Sequence, residues 1–338
     1  MRTPAYWQSR FPAALLLPLS LLFGALAAVR RWGYALGWLR QTRIDVPVVV
    51  VGNITAGGAG KTPTVQYLAR ALVAAGWQPG IVCRGYGGRI DTVAAVDVQG
   101  DAATYGDEPL LLARSTGCPV FVGRQRAGAA QALRAAHPQV DVILTDDGLQ
   151  HYALARDIEI AVLDGARGLQ NGWLLPAGPL REGARRLGTV DAVVVNGNPQ
   201  LALASPAPRF DMTLAAGDAW YLGAPQERRA LASFAGQPVT AVAGIAHPPR
   251  FFEMLTRAGL GVTPLAYPDH HAYSQSDADG WGKGVVLTTE KDAVKLAALQ
   301  HNGSIWVIPV TPRLEPDLGR WLHDRLNTLR TPHGRKTT

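Results

Sequence analysis

The chain has 338 residues, 47% of them hydrophobic and 17% charged, which excludes a disordered polymer. Its 37 Gly and 24 Pro, scattered without period, exclude a collagen-like or coiled-coil rod and suit a turn-rich α/β protein of about two domains. The net charge of +7 does not mark a nucleic-acid surface, because residues 1–45 hold six arginines against Asp45 alone and so carry most of the excess.

The first element is the longest apolar run, Phe11 to Val29, broken only by Pro12, Pro18, Ser20 and Gly24. As a helix it rises about 28 Å, close to the hydrocarbon thickness of a bilayer. Pro18 is expected to kink it, while Trp7, Trp32, Tyr34 and Trp38 flank it where amphipathic aromatics favour the headgroup region. Arg30 and Arg31 directly behind the run oppose translocation. A membrane anchor, spanning or lying in the interface, is therefore favoured over a cleaved signal peptide or a core helix, with the bulk of the chain in the cytoplasm.

Beyond residue 45 short β-branched runs alternate with helix-length segments. Strands are expected at 46–51, 80–83, 93–98, 119–122, 141–145, 158–163 and 191–195, and helices at 64–75, 109–115 and 124–136. Cys83 and Cys118 have neither metal-ligand spacing nor enough company for a disulfide framework, and read as core thiols of a reducing compartment. Residues 196–237 are expected to be loops or a linking ribbon. A second α/β stretch follows, with strands at 239–243, 262–267, 284–288 and 305–310 and helices at 249–258, 290–299 and 315–329. The expected organisation is an anchor over 1–45, a nucleotide-binding domain over 46–235, a smaller α/β domain closing over it at 236–330, and a disordered tail at 331–338.

Three clusters carry chemistry. Val48 to Thr64, VVVVGNITAGGAGKTPT, is a buried strand running into a glycine-rich loop that ends in Gly60, Lys61 and Thr62. Glycines let backbone N–H groups approach phosphate, Lys61 reaches the β/γ-phosphates, and the Thr62 hydroxyl suits Mg²⁺. The general GxxxxGK[ST] pattern has a glycine where this chain has Thr55, and a tight structural turn is the plain alternative. The fold class expected is α/β, with a P-loop NTPase-like α/β/α domain, a second smaller α/β domain and an N-terminal membrane-anchoring helix.

Asp146 and Asp147 end the strand DVILT, where carboxylates emerge beside a phosphate loop and hold Mg²⁺; an Asp-Gly turn with Gly148 is the alternative. Asp107 and Glu108 open a helix, Asp107 either as an N-cap or as a base for an attacking alcohol. His270 and His271 lie in a loop of the second domain, where a cleft would bring one of them across to the phosphate.

The ordered set VGNITAGGAGKTPT, CRGYGG, GDEP, DDGLQHYALARDIEI, LLPAGPLRE, VAGIAHPPRFF, PDHHAY and LTTEKDAVK resembles the tetraacyldisaccharide 4′-kinases of Gram-negative bacteria over residues 10–328. Thr55 is what that family's loop carries. The resemblance implies transfer of the ATP γ-phosphoryl group to the 4′-hydroxyl of tetraacyldisaccharide 1-phosphate, forming lipid IVA on the cytoplasmic face of the inner membrane. The implied partners are the acylated disaccharide and membrane lipids, with no nucleic acid, and the implied cofactors are ATP and Mg²⁺.

The resemblance places ATP on Thr55, Ala56, Gly57, Gly58, Ala59, Gly60, Lys61 and Thr62. It places the metal near Thr62, Asp146, Asp147 and Glu108, and makes Asp107 the general base paired with His270. Arg84, Tyr86, His151, Arg181 and Glu182 supply substrate contacts or a supporting shell. The competing function is a membrane-tethered P-loop switch ATPase or GTPase, against which Thr289, Glu290, Lys291 and Asp292 fail to match the guanine-reading NKxD. A noncatalytic membrane adaptor with a structural glycine loop is the remaining rival.

Overall fold

The computed structural model describes residues 4–197, 201, 205–297 and 299–330. The tail expected at 331–338 lies outside the described residues. In chain order the elements are α1 (Leu17–Ala35), β1 (Val48–Gly52), α2 (Lys61–Ala74), β2 (Pro79–Cys83), β3 (Ala94–Ala95), α3 (Ala102–Tyr105), α4 (Asp107–Thr116), β4 (Val120–Val122), α5 (Arg126–Ala136) and β5 (Val142–Thr145). Then come β6 (Ile158–Asp164), β7 (Ala192–Asn196), β8 (Arg209–Ala216), β9 (Ala219–Tyr221), β10 (Ala224–Arg229), β11 (Val239–Ala243), α6 (Pro248–Arg257) and β12 (Val262–Ala266). The chain closes with α7 (Gln275–Asp279), β13 (Val285–Thr289), α8 (Glu290–Leu296), β14 (Ser304–Ile308), β15 (Val310–Glu315) and α9 (Leu318–Arg330).

Two sheets result. The larger has the order β15-β8-β7-β6-β1-β5-β2-β4-β3, parallel from β8 to β4 with antiparallel strands at both edges. Its central strands are buried on both faces, as their unbroken Val and Ile runs require. β1 lies beside β6, and the connection after β1 runs to β2 on one side while that after β6 runs to β7 on the other, which opens a crevice at the carboxyl ends. The smaller sheet, β10-β9-β14-β13-β11-β12, has four parallel strands and an antiparallel β9–β10 hairpin on its edge.

Three expectations need correction. Residues 196–237 are not mainly loop: β8 joins the larger sheet, and β9 and β10 edge the smaller one. The expected strand 305–310 divides at Pro309 into β14 in the smaller sheet and β15 in the larger. The segment expected to end the second domain therefore returns to the first, where β15 pairs with β8 and Leu314, Leu318, Leu322 and Leu326 bury against Leu68 and Leu72 of α2. The two connections between the sheets lie side by side, Gly217 N donating to Pro309 O at 2.9 Å. Finally, Pro18 does not kink α1 midway but sits in its first turn, where a proline lacks no needed N–H.

The segment from Ala13 to Ala35 is long and apolar enough to cross a membrane, and little of it is buried. One stripe of α1 rests on the larger domain. Ser20 Oγ donates to Leu174 O and accepts from Ala177 N, a Cβ at Gly24 would meet Leu174, Arg30 reaches Gln150 O, and Tyr34 packs on Tyr152. Leu15, Leu19, Leu22, Leu26 and Val29 stay exposed.

Candidate active site

β1 delivers the glycine-rich loop at its carboxyl end, and α2 starts at Lys61 without a side-chain cap, so its first N–H groups and positive end remain available to an anion. Gly57 and Gly60 have φ of +97° and +100°, a conformation that favours glycine. Thr55 instead forms an isolated bridge with Leu180, and Ala56 N donates to Pro179 O at 2.7 Å. That strand-like setting accepts a side chain, which is why the first glycine of the general pattern is dispensable here.

β5 brings Asp146 and Asp147 beside the loop. Thr62 Oγ1 donates to Asp146 Oδ2 at 2.9 Å, while Asp146 Oδ1 is buried and has no partner among the described residues. Burial, with the nearby Glu108 charge, pushes the Asp146 carboxyl up to about 7. Its neighbour behaves oppositely: burial alone would raise Asp147, but Lys61 at 3.6 Å and Arg181 at 3.0 Å hold it down at about 2. Asp147 also has φ of +52°, a strained backbone for a non-glycine residue.

The other side of the cleft is assembled across the two domains. Asp107 is the first residue of α4, after Gly106, and is 4% exposed. His270 Nδ1 lies 2.9 and 3.0 Å from its two carboxylate oxygens. Lys291 Nζ bonds Glu108 at 3.1 Å and Asp269 at 3.0 Å and faces His270 Nε2 at 3.4 Å. With a carboxylate at Nδ1 and an ammonium at Nε2, the neutral ring carries its proton on Nδ1. Burial would raise the Asp107 carboxyl, but the His270 hydrogen bond and the charges of Lys291 and Lys295 hold it below the usual carboxylate range. Burial would likewise lower Lys291, yet Glu108, Asp107 and Asp269 keep it protonated. His271 turns away, towards Asp277 at 3.3 Å and the rings of Tyr267 and Tyr273.

The remaining expected residues fall in different places. Tyr86 is exposed and packs its ring 5.0 Å from that of His270, at the mouth of the cleft. Arg84 is exposed at the end of β2. Burial, then the charges of Arg126 and Arg84, push His151 down to about 4. Glu182 lies in a network with Gln150, Tyr152 and Arg186 instead of facing the loop. Cys83 and Cys118 are buried thiols.

Several contributors were missed. Lys291, Asp292 and Lys295 sit on α8, where Asp292 accepts from Gly244 N, Thr289 Oγ1 and Tyr273 OH, and Lys295 pairs with Asp292 at 3.0 Å and approaches Asp107 at 3.8 Å. Their signal was present in KDAVK: lysines four apart share one helix face. Arg126 is 2% exposed, and among the described residues its Nε and Nη2 have no partners, leaving two donors open to an anion.

A family model described as tetraacyldisaccharide-1-P 4′-kinase matches residues 12–327. A tetraacyldisaccharide 4′-kinase from Chromobacterium violaceum is 50% identical over 328 residues, covering 95% of each chain. Another from an Azoarcus species is 51% identical over 332 residues, 97% of this chain and 96% of the relative. Among solved structures, LpxK from Aquifex aeolicus in complex with ATP is 27% identical, with a TM-score of 0.79 over 93% of this chain and 99% of its own.

Proposed function

The chain belongs to the tetraacyldisaccharide-1-phosphate 4′-kinase family and is an ATP-dependent lipid A 4′-kinase, and we propose that it makes the transfer with Asp107 as base, oriented by His270. The acceptor is the 4′-hydroxyl of tetraacyldisaccharide 1-phosphate and the product is lipid IVA. The observation that carries the assignment of roles is the Asp107–His270 pair, joined from two domains beside an uncapped phosphate loop.

Asp107 is ionised at neutral pH and accepts the hydroxyl proton as the oxygen attacks the γ-phosphorus and ADP departs. His270 keeps its Nδ1–H on Asp107, and Lys291 fixes that tautomer from the opposite ring nitrogen. Lys61 leaves Asp147 for the β/γ-phosphates. Arg126 offers its two free donors to the same anion. Arg84 and Tyr86, at the mouth, contact the sugar or its phosphate.

Thr62 Oγ1 and Asp146 fit Mg²⁺, because an unpartnered buried carboxylate oxygen is what a hard cation relieves. Among the described residues no group of three or more His, Cys, Asp or Glu is placed to hold a metal ion, so the ion would draw its other ligands from phosphate oxygens and water. Bound there, the ion would neutralise charge on the β- and γ-phosphates. Glu108 pairs with Lys291 and Asp147 with Arg181, which leaves Asp146 as the direct carboxylate ligand.

Localisation follows from α1. Its contacts with the body run from Ser20 to Tyr34, about 21 Å of helix axis, which supports a helix lying along the bilayer surface over one crossing it. Leu15, Leu19, Leu22, Leu26 and Val29 enter the acyl region of the cytoplasmic leaflet, and Arg30 and Arg31 meet anionic headgroups. An acylated disaccharide stays in that leaflet, since each buried CH₂ is worth about 0.8 kcal/mol.

The test is transfer of labelled γ-phosphate from ATP to tetraacyldisaccharide 1-phosphate in detergent micelles, for the wild type and for Lys61→Ala, Asp107→Ala and His270→Ala. Labelled lipid with large losses in all three variants supports the assignment. ATP consumption without labelled lipid would return the switch-NTPase reading.

A further inference from the structure

Three successive carbonyls of the phosphate loop are each held by a side chain from a different strand end. Asn53, just after β1, donates Nδ2 to Gly57 O at 3.0 Å; Arg167, just after β6, donates Nη2 to Gly58 O; and Asn196, the last residue of β7, donates Nδ2 to Ala59 O at 3.1 Å. The next carbonyl, Gly60 O, is taken by Thr64 N and Oγ1. In a trans peptide the N–H points opposite to the C=O. The N–H groups of Gly58, Ala59 and Gly60 are therefore turned away from their holders, and among the described residues none of the three has a hydrogen-bond partner. The glycines are also places of close approach: a Cβ at Gly57 would lie 2.9 Å from Arg167 Nη1, and one at Gly60 2.6 Å from Asn196 Nδ2.

Arg167 differs from the two asparagines because its own anchor is shared with the second domain. Its Nε donates to Asp164 Oδ2 at 3.0 Å. Asp164, 2% exposed, accepts on Oδ1 from the N–H groups of Ala166 and Arg167 and from Arg250 Nη2 at 2.6 Å. Arg250 lies on α6, and Ala246 just before that helix lies so close to the loop that a Cβ at Gly58 would be 2.5 Å from its own.

We propose that Arg167 is a positioning residue for the transfer, holding the Gly58–Ala59 peptide with its N–H towards the phosphates, and that Arg250 makes this hold depend on the second domain through Asp164. The proposal rests on reading the loop as the ATP site. With the second domain seated, both guanidiniums divide the two oxygens of Asp164 and its carboxylate has one orientation. With Arg250 withdrawn, Oδ1 loses its charged partner, and the carboxylate, Arg167 and the Gly58 carbonyl loosen together. The second domain thus reaches the loop through Arg250, Asp164 and Arg167, by contacts that involve neither Asp107 nor His270.

The experiment measures KM for ATP, KM for the lipid and kcat in micelles, with thermal unfolding as the folding control. Arg167→Ala raises KM for ATP about tenfold and leaves KM for the lipid unchanged. Arg167→Lys recovers part of this, because an ammonium serves Gly58 O or Asp164 but not both in the planar two-sided manner. Arg250→Ala raises KM for ATP about threefold, and adding it to Arg167→Ala changes nothing further. An Arg167→Ala loss confined to kcat or to the lipid KM overturns the positioning role. Multiplying effects in the double variant, or an Arg250→Ala protein with wild-type KM for ATP, overturn the link to the second domain. If Arg167→Ala fails to fold, Arg167→Lys and Arg250→Ala decide the same two points. A wild type that neither binds ATP nor labels lipid is a different result and overturns the reading of the loop itself.

Discussion

The phosphate-loop side and the Asp107 side of the cleft differ in how much chain each one needs. Thr55 to Thr62 are consecutive, follow one strand and start one helix, so most of that surface forms as soon as β1 and α2 pack. Asp107 and His270 are 163 residues apart and meet only because α8 and the loop after β12 lie on α4. A contiguous site keeps most of its shape through small movements of the second domain, losing only the hold that Arg250 exerts through Asp164 and Arg167, whereas a site split between domains disappears with them. On the proposed roles, ATP is expected to bind, more weakly without the hold of Arg250 on Asp164, before the second domain docks, and transfer to require that docking.

The largest expected effect tests that division directly. Asp107→Asn lowers transfer by about 10³-fold, in the range of a lost general base, while ADP affinity measured by calorimetry stays at the wild-type value. Lys61→Ala loses both, and equal loss of ADP affinity in the two variants would break the comparison.

Next comes the packing under the loop. Leu322 is fully buried between α9 and α2, and Leu322→Ala costs about 3 kcal/mol of stability in urea unfolding. A cost under about 1 kcal/mol would mean that the returning segment is not integral to the first domain.

His270→Gln keeps a donor but not the imidazole, and lowers kcat by about 10²-fold with little change in either KM. A loss carried by KM for ATP would move His270 to the nucleotide side.

The smallest effect is the most specific. Lys291→Met removes a positive charge that favours the ionised form of Asp107, so the Asp107 carboxyl rises. With Asp107 as the proposed base, which works only when deprotonated, activity is lost as pH falls through its pKa, and the acid limb of kcat/KM is expected to move to higher pH in this variant. An unmoved limb would show that Lys291 does not govern the base.

Much of this was legible because it is local. The Val-rich strands, the glycine loop and the acids at strand ends declare themselves by short-range pattern, and the match in order along the chain pointed to the kinase family before any contact was known. β15 was not legible, because Pro312 inside Val310–Glu315 argues against a strand. The edge position resolves that: β15 pairs on one side only, with Pro312 opposite Leu214. β10 has the same cause in another form, since APQERR is polar and exposed as an edge strand is. β8 carried a visible signal, buried Phe210 and Met212 two apart, masked by the Gly, Pro and Ala around it.

The choice between His270 and His271 shows where pattern ends. The two are neighbours of identical chemistry, and the left-handed backbone of His270, φ +61°, helps send one ring to Asp107 and the other to Asp277. Residue order by itself established the fold class, a glycine-rich loop between a strand and a helix, and the apolar N-terminal helix, because hydrophobic period and glycine placement act within a few residues. Tertiary structure alone decided which histidine faces Asp107, that Lys291 and Lys295 stand beside it, that α1 lies on the body, and that the last strand and helix return to the first domain. Each of those depends on contacts between distant segments, and such contacts leave no period in the chain.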